Sequence, residues 1–362
     1  MELFTLPFEK VLTWSFDDFI KIRKPIHMAI RLSKLHHARR LFYALAFTGI
    51  GAVARWYVHQ SHGLEKEEEL EIRFTGDRPS ADAAESSPLF PLRVLTLNLA
   101  HGRKDGKHQV LQRKDTIRGN LDDVAALLRD VRPHIVALQE ADGPSLWSGS
   151  FDHVRYLAEK AGYPYAVLGE HVKRKRTSYG TAIISRLPLK TSRSVTFAPS
   201  PPTFPKGVVL ATVILPGIPE REVDVLSVHL DFARPGTRKR QADALAGKLL
   251  AGKGPFIVMG DFNCEWLERE ETLRDFAGRT GLMTFRPWDW TIRTFPKSMR
   301  RLDWIFASPC FSFENHAILT DPVSDHLAVY GELGISRYPG REEISDPAGR
   351  TGRAGIPAES LS

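Results

Sequence analysis

Apolar residues run without alternation through Phe256-Ile257-Val258-Met259, stop at Gly260, and give way to Asp261-Phe262-Asn263. Such a run predicts a strand covered on both faces, and the glycine predicts a close backbone turn at its end. In an extended segment residues i and i+2 point the same way, so Asp261 and Asn263 are expected to face one point while Phe262 returns to the core. An Asx-rich turn that merely caps the strand is the alternative.

Similar runs occur elsewhere, and several end in a polar side chain. Residues 93–98 form a β-prone run ending at Asn98, and residues 134–140 read as a buried strand ending at Glu140. Residues 179–186 and 207–214 are strand-like. Residues 222–229 end in His229, residues 301–307 embed Asp303, and Ser324-Asp325-His326 precedes a last strand at 327–330. Helical spacing of Ile117, Leu121, Val124, Leu128 and Val131 predicts an amphipathic helix over 114–132, stopped by Pro133. A second helix is expected over 237–250, where Arg238, Lys239 and Arg240 either approach a phosphate or are simply solvated.

The chain has a different character before residue 92. Basic residues crowd ahead of the uncharged stretch Leu41–Ala54, which falls short of a ~30 Å hydrocarbon core unless Arg55 snorkels and Trp56, Tyr57 and Val58 extend it. A signal anchor, an interfacial amphipathic helix and a soluble packed helix are the competing readings, with membrane association through residues 41–58 favoured over a soluble cytoplasmic protein. Residues 1–63 are therefore read as a basic helical region and 64–91 as an acidic run followed by a linker. A catalytic-domain candidate spans 92–334, and 335–362 form a Gly-, Pro-, Arg- and Ser-rich disordered tail.

Composition changes this picture little. With 42% hydrophobic and 26% charged residues, the chain is that of a folded protein, and wholesale disorder is excluded. A formal charge of +7 favours anionic partners such as nucleic acid or phospholipid headgroups. Two cysteines, Cys264 and Cys310, are too few for a disulfide framework or a cysteine zinc site, and Cys264 has no assigned role.

Taken singly, a histidine or acid at a strand end is usually a hydrogen-bonded turn residue. Taken together, Asn98, Glu140, His229, Asp261, Asn263, Asp303, Asp325 and His326 are too many for turn chemistry alone, because loops at one edge of layered sheets are where sites are built. The ordered set LTLN, LQE, SVHL, GDFN, RLDWIFAS and SDH resembles the endonuclease/exonuclease/phosphatase superfamily. Its members include DNase I, apurinic-site endonucleases, inositol polyphosphate 5-phosphatases and neutral sphingomyelinases. The resemblance covers about residues 92–334 and neither the first 90 residues nor the tail.

It implies a DNase I-like four-layer α/β sandwich, two mixed sheets face to face with helices outside. It also implies a hydrolase of phosphoester bonds, a phosphodiesterase using Mg²⁺, with Mn²⁺ as a substitute. Glu140 would be the principal metal ligand, with Asn98 and Asp325 nearby directly or through water, as a hard cation prefers. Asp261 would orient and deprotonate the attacking water, and Asn263 would hold the phosphate or the water. His326, oriented by Asp303, and His229 would hydrogen-bond the phosphoryl oxygens. The SVHL form at His229 tilts away from apurinic-site repair without separating DNA or RNA from phospholipid or sphingolipid. The basic stretch 171–179 suggests Lys173, Arg174 and Tyr179 as substrate contacts, with a solvated loop as the alternative. Trp288 and Trp290 are expected in a loop that touches lipid or stacks a base, and Trp304 in the core. Outside the enzyme class, the fold could serve as a catalytically silent anion-binding module. Nothing in the sequence points to a protein partner.

Overall fold

The computed structural model describes residues 66–75, 91–106, 112–215, 222–249 and 254–335. Its strands in chain order are β1 (Lys66–Glu69), β2 (Arg73–Phe74), β3 (Leu92–Asn98), β4 (Ile135–Asp142), β5 (Tyr165–Arg174), β6 (Thr177–Ser185) and β7 (Leu189–Thr196). They continue with β8 (Gly207–Ile214), β9 (Glu222–His229), β10 (Phe256–Asp261), β11 (Met283–Thr284), β12 (Asp303–Ala307), β13 (Phe311–Leu319) and β14 (Ala328–Ile335). The α-helices are α1 (Lys114–Val131), α2 (His153–Ala161), α3 (Pro235–Ala244) and α4 (Thr272–Thr280). One seven-stranded sheet has the order β1-β7-β8-β9-β10-β12-β11 and the other β13-β14-β3-β4-β6-β5-β2. Both are mixed: β9 runs parallel to β10 and β3 parallel to β4, while the other pairs are antiparallel.

The strands without hydropathic alternation are those buried on both faces. In β3, Leu92 and Val94 pack into an apolar layer shared with Ile257, Met259 and Ile305 of the other sheet, whereas Leu95 and Leu97 pack against Leu121 and Leu128 of α1. In β10, Ile257 and Met259 face the same layer between the sheets, and Phe256 and Val258 face Phe276 of α4. Helix, sheet, sheet and helix thus form four layers with one core between the sheets and one under each helical layer, the DNase I-like sandwich expected above.

Helix α1 ends as its sequence requires, with Arg132 in the left-handed conformation just before Pro133. Helix α3 ends at Ala244 and continues as a π-helical turn over Leu245–Leu249. Its basic residues are engaged within the protein: Arg238 pairs with Glu268, Lys239 with Asp275, and Arg240 donates to Thr237.

The acidic run is exposed, as a solvated charge run would be, but it also forms β1, an edge strand whose Glu67 meets Arg193 of β7; the linker expected after it lies mostly outside the described residues. A sheet edge asks only for backbone pairing, which a charged sequence can supply. The basic stretch beginning at His171 is not a loop. Its first residues lie in β5, and His171 is buried between the sheets, where its ring nitrogens meet Thr181 Oγ1 at 2.9 Å and Thr196 Oγ1 at 3.1 Å. Among the described residues no helix is long and apolar enough to cross a membrane, and the candidate segment at residues 41–58 lies outside them. Ile335, expected to begin the tail, instead closes β14, and the rest of the expected tail lies outside the described residues as well.

Gly260 is required where it stands. At φ 149° a Cβ there would lie 2.0 Å from the Val228 carbonyl oxygen of the neighbouring strand β9. Gly260→Ala is therefore expected to destabilise the fold by about 3 kcal/mol or more. A urea midpoint indistinguishable from that of the unaltered protein would show that β9 and β10 part there at little cost. For His171, burial and then the nearby Lys206 push the imidazole pKa down to about 3. A folded-state pKa below the unfolded value contributes stability that is present above about pH 6.5 and is lost as pH falls toward the folded value. Chemical denaturation at a series of pH values should show wild-type stability falling more steeply between pH 6.5 and 4 than that of His171→Gln; parallel curves would contradict it.

Candidate active site

Strand register builds the site. Asp261, the last residue of β10, is level with His229 at the end of parallel β9 and with Asp303 at the start of antiparallel β12. Three chemically active side chains therefore stand in one row across three adjacent strands. Facing them from the other sheet is Asn98, the last residue of β3, whose side-chain amide donates to Asp261 Oδ2 at 3.0 Å. The same carboxylate oxygen lies 3.6 Å from His229 Nε2 and 3.9 Å from His326 Nε2. His326 Nδ1 in turn donates to Asp303 Oδ2 at 2.9 Å. His326 is held by its loop: Thr294 accepts from the Leu327 backbone, Phe295 packs on the imidazole at 4.7 Å between centroids, and Ser324 Oγ donates to the Asn98 carbonyl at 2.6 Å.

Asn263 does not project beside Asp261 as an extended chain would place it. The strand ends at Asp261, Asn263 adopts a left-handed φ of 55°, and its backbone N–H closes an Asx turn on Asp261 Oδ1 at 2.9 Å. Its side-chain amide donates to the Leu230 carbonyl at 3.0 Å. The turn and the site are thus the same piece of structure, and the turn fixes the second oxygen of Asp261.

Glu140 reaches the site through a bulge. Val136 and Leu138 of β4 face the helices, so strict alternation would send Glu140 there too. The β4–β6 register shifts between Leu138 and Ala141, and Glu140 has a φ of 47°, which re-aims the side chain into the mouth between the sheets. There it lies 3.3 Å from His101 Nε2 and 4.0 Å from Lys206 Nζ. Asp325, expected near the same place, instead faces Lys297 at 3.0 Å and Arg103 at 3.8 Å.

Burial and charge set the protonation states. Burial would raise the Glu140 pKa, but His101 first, then Lys206, with Arg103, outweigh it and hold the group well below the usual carboxylate range. Burial, and then Lys206, push His229 well below its ordinary value, so it is a neutral imidazole that can accept from Lys206 Nζ, 3.0 Å from its Nε2. Burial alone would lower His326; Asp303, then Asp261, more than offset it and raise the imidazole to about 10. Burial, with Asp303 adding to it, raises Asp261 to about 7 against the opposing pull of His326. The arrangement couples a carboxylate able to take up a proton near neutrality to an imidazolium that stays charged.

The substrate contacts expected on the β5–β6 hairpin divide. Tyr179 is buried beside His101, with ring centroids 4.8 Å apart. Lys173, paired with Glu170, and Arg174 lie toward the hairpin tip. Two residues escaped the sequence reading. Lys206 is buried, with its amine 3.0 Å from His229 Nε2, and His101 lies beside Glu140. Lys206 immediately precedes β8, which runs antiparallel to β9 with Gly207 opposite His229. The beginning of β8 therefore shares the sheet edge where β9 ends, and inspecting only the ends of strands passes over it. His101 is three residues past Asn98, in a turn that carries no periodicity.

Metal fit follows from the donors. Asp261, Asp303 and His326 offer ligand atoms within 4.8 Å of one another, and the buried Asp303 Oδ1 has no hydrogen-bond partner. An imidazolium at His326 cannot also be a ligand, because both its nitrogens carry protons. The Glu140 carboxylate, beside Asn98 at the ends of adjacent parallel strands, supplies the oxygen donors that a hard divalent cation prefers.

The comparisons with known proteins agree with this geometry. Residues 95–326 match the model of the Endonuclease/Exonuclease/phosphatase family. No curated protein sequence matches the chain. Among solved structures, an endonuclease/exonuclease/phosphatase from Beutenbergia cavernae DSM 12333 is similar at 22% identity and a TM-score of 0.57, covering 68% of this chain and 72% of that one. The mannosyl-6-phosphatase of Bacteroides thetaiotaomicron VPI-5482 is similar at 20% identity and a TM-score of 0.51, covering 67% of this chain and all of that one, 100%. The human nocturnin catalytic domain, solved with bound sulfate, is similar at 20% identity and a TM-score of 0.51, covering 72% of this chain and 100% of that one. At these identities the structures establish a shared fold; the family match extends over all the site residues from Asn98 to His326. The chain belongs to the endonuclease/exonuclease/phosphatase family of phosphoesterase-type hydrolases.

Proposed function

We propose that this protein hydrolyses a phosphodiester with the aid of a divalent cation, Mg²⁺ or, as a substitute, Mn²⁺. One observation carries the reading: the buried Asp261 carboxylate, raised toward neutrality, stands within 4 Å of His229 and His326 and is fixed by Asn98 and the Asn263 backbone. A phosphodiester is an anion, so attack requires a positioned water, donors aimed at the phosphoryl oxygens and neutralisation of developing charge. Asp261 takes the proton of the attacking water. His326 keeps its charge because Asp303 backs it, and it donates to the phosphoryl group as negative charge builds there. Lys206 and His229 line the opposite side, and the buried ammonium of Lys206 contributes positive charge where the substrate's anion must enter. Glu140 and Asn98 would hold the cation, which when bound supplies Lewis-acid polarisation of the phosphoryl oxygen. No covalent nucleophile is needed, since positioning and electrostatics supply most of the acceleration.

Nucleic acids, phospholipids and sphingolipids all carry a diester of this chemistry, and one assay separates them. The purified protein should be incubated with plasmid DNA, RNA, sphingomyelin vesicles, phosphatidylinositol phosphates and a bis-aryl phosphate, each with Mg²⁺ and with EDTA. Cleavage of at least one diester that stops with EDTA and returns with Mg²⁺ is the expected result. A folded protein that cleaves none of them would favour the silent anion-binding module. On whichever substrate is cleaved, Asp261→Asn and His326→Gln should each lower kcat about 10²-fold or more while the thermal midpoint stays within a few degrees. Rates near wild type in either variant would remove the assigned base or the assigned donor.

A further inference from the structure

His101 and Asp142 form a second aspartate–histidine pair, joined to the site through Glu140, and the mechanism above does not use it. His101 Nδ1 lies 2.6 Å from Asp142 Oδ1, and its Nε2 lies 3.3 Å from Glu140 Oε2. Asp142 is fully buried, and its other oxygen accepts from Trp147 Nε1 at 2.8 Å. The imidazole is gripped on two sides, by Trp147 at 4.9 Å and edge-on by Tyr179 at 4.8 Å between centroids. Every heteroatom of the pair therefore has a defined partner, and the one pointing into the site points at Glu140.

The backbone was not free to choose this arrangement cheaply. Ala100, His101 and Gly102 have successive positive φ values of 46°, 58° and 73°, and Glu140 opposite them has 47°. Left-handed conformations at non-glycine residues cost on the order of 1–3 kcal/mol each and persist only where the surroundings over-determine them. A histidine that merely filled the core would need neither a strained turn nor a strained partner. Glutamate also has three rotatable side-chain bonds, and a carboxylate that must meet a cation in one orientation gains from a neighbour that fixes it.

We propose that His101 is a positioning residue that holds the Glu140 carboxylate in the orientation from which it binds the divalent cation, with Asp142, Trp147 and Tyr179 as its rigid support. The inference rests on the metal-dependent reading above. It assigns a role to the turn after β3 and to the loop carrying Trp147: both act on the metal through one imidazole rather than by touching substrate.

The test is equilibrium binding of Mn²⁺ to the full chain without substrate, followed by calorimetry and by the electron paramagnetic resonance signal of free Mn²⁺. His101→Ala should weaken Mn²⁺ binding about 10- to 100-fold, the usual cost of losing a group that orients a metal ligand. His101→Gln, which can still reach Glu140 with an amide N–H, should recover part of that loss. Trp147→Phe removes the outer hydrogen bond to Asp142 and trims the ring that packs on His101, leaving the imidazole itself in place, and should give a smaller weakening in the same direction; it keeps the test decisive if His101→Ala fails to fold. Variants that bind Mn²⁺ as tightly as wild type, or more tightly, overturn the positioning role and leave the metal reading intact. Failure of the wild-type protein itself to bind Mn²⁺ overturns both.

Discussion

The hydrogen bond from Asn98 to Asp261 joins the two halves of the molecule where it matters chemically. Asn98 ends a strand of one sheet and Asp261 ends a strand of the other, so the 3.0 Å contact fixes the spacing of the sheets at the mouth. It is not isolated. One layer deeper, Gln139 of β4 donates to Ser227 Oγ of β9 at 3.1 Å, and Ser227 Oγ donates back to the Leu138 carbonyl at 2.9 Å. Below these polar bridges the layer between the sheets is apolar. Interior packing resists small displacements, so the apolar layer holds the distance and the polar bridges set the register. Every side chain assigned a role in the site is measured from that frame.

Charge in the mouth is arranged so that few groups are left uncompensated in a low-dielectric setting. Glu140 faces His101 and Lys206, Asp303 faces His326, and Asp325 faces Lys297 and Arg103. Asp261 is the exception. Its nearest donors are the neutral amide of Asn98 and the Asn263 backbone, and His326 is nearly 4 Å away and shared with Asp303. That asymmetry separates the proton affinity of Asp261 from that of Glu140, although both are buried acids at strand ends. In the mechanism proposed above, the group that exchanges a proton is the under-compensated one, and the group that holds the cation is the one surrounded by positive charge.

Much of this was legible in the sequence because the site residues sit where hydrophobic runs stop. The runs ending at Asn98, Glu140, His229 and Asp261 became β3, β4, β9 and β10, and their polar termini do meet at one edge. What escaped has physical reasons. Lys206 lies at the beginning of an antiparallel strand, where no run has yet been broken. His101 lies in a turn whose conformation depends on tertiary contacts rather than on spacing. Asn263 was expected beside Asp261 on the assumption of an extended chain, and a single left-handed residue defeats that assumption. Strands β7 and β13 carry charged or polar residues at exposed positions, so their hydropathy is too mixed to announce them, and β5, though buried for most of its length, runs into the charged residues Lys173 and Arg174 at its end. The helices α2 and α4 are short, nine residues each, and give too few turns for a periodic signal.

The order in which the chain visits the two sheets has a consequence for biosynthesis. Apart from the edge strand β1, the sheet that carries Asn98 and Glu140 comes first in the chain, the other is then laid down from β7 to β12, and the chain returns to the first sheet with β13 and β14. His326 stands at that return, immediately before β14, which fills the place between β13 and β3. A nascent chain therefore has neither a closed first sheet nor a backed Asp261 until almost the whole domain has left the ribosome. A product terminated before residue 326 lacks His326 and with it the imidazole that meets both Asp303 and Asp261.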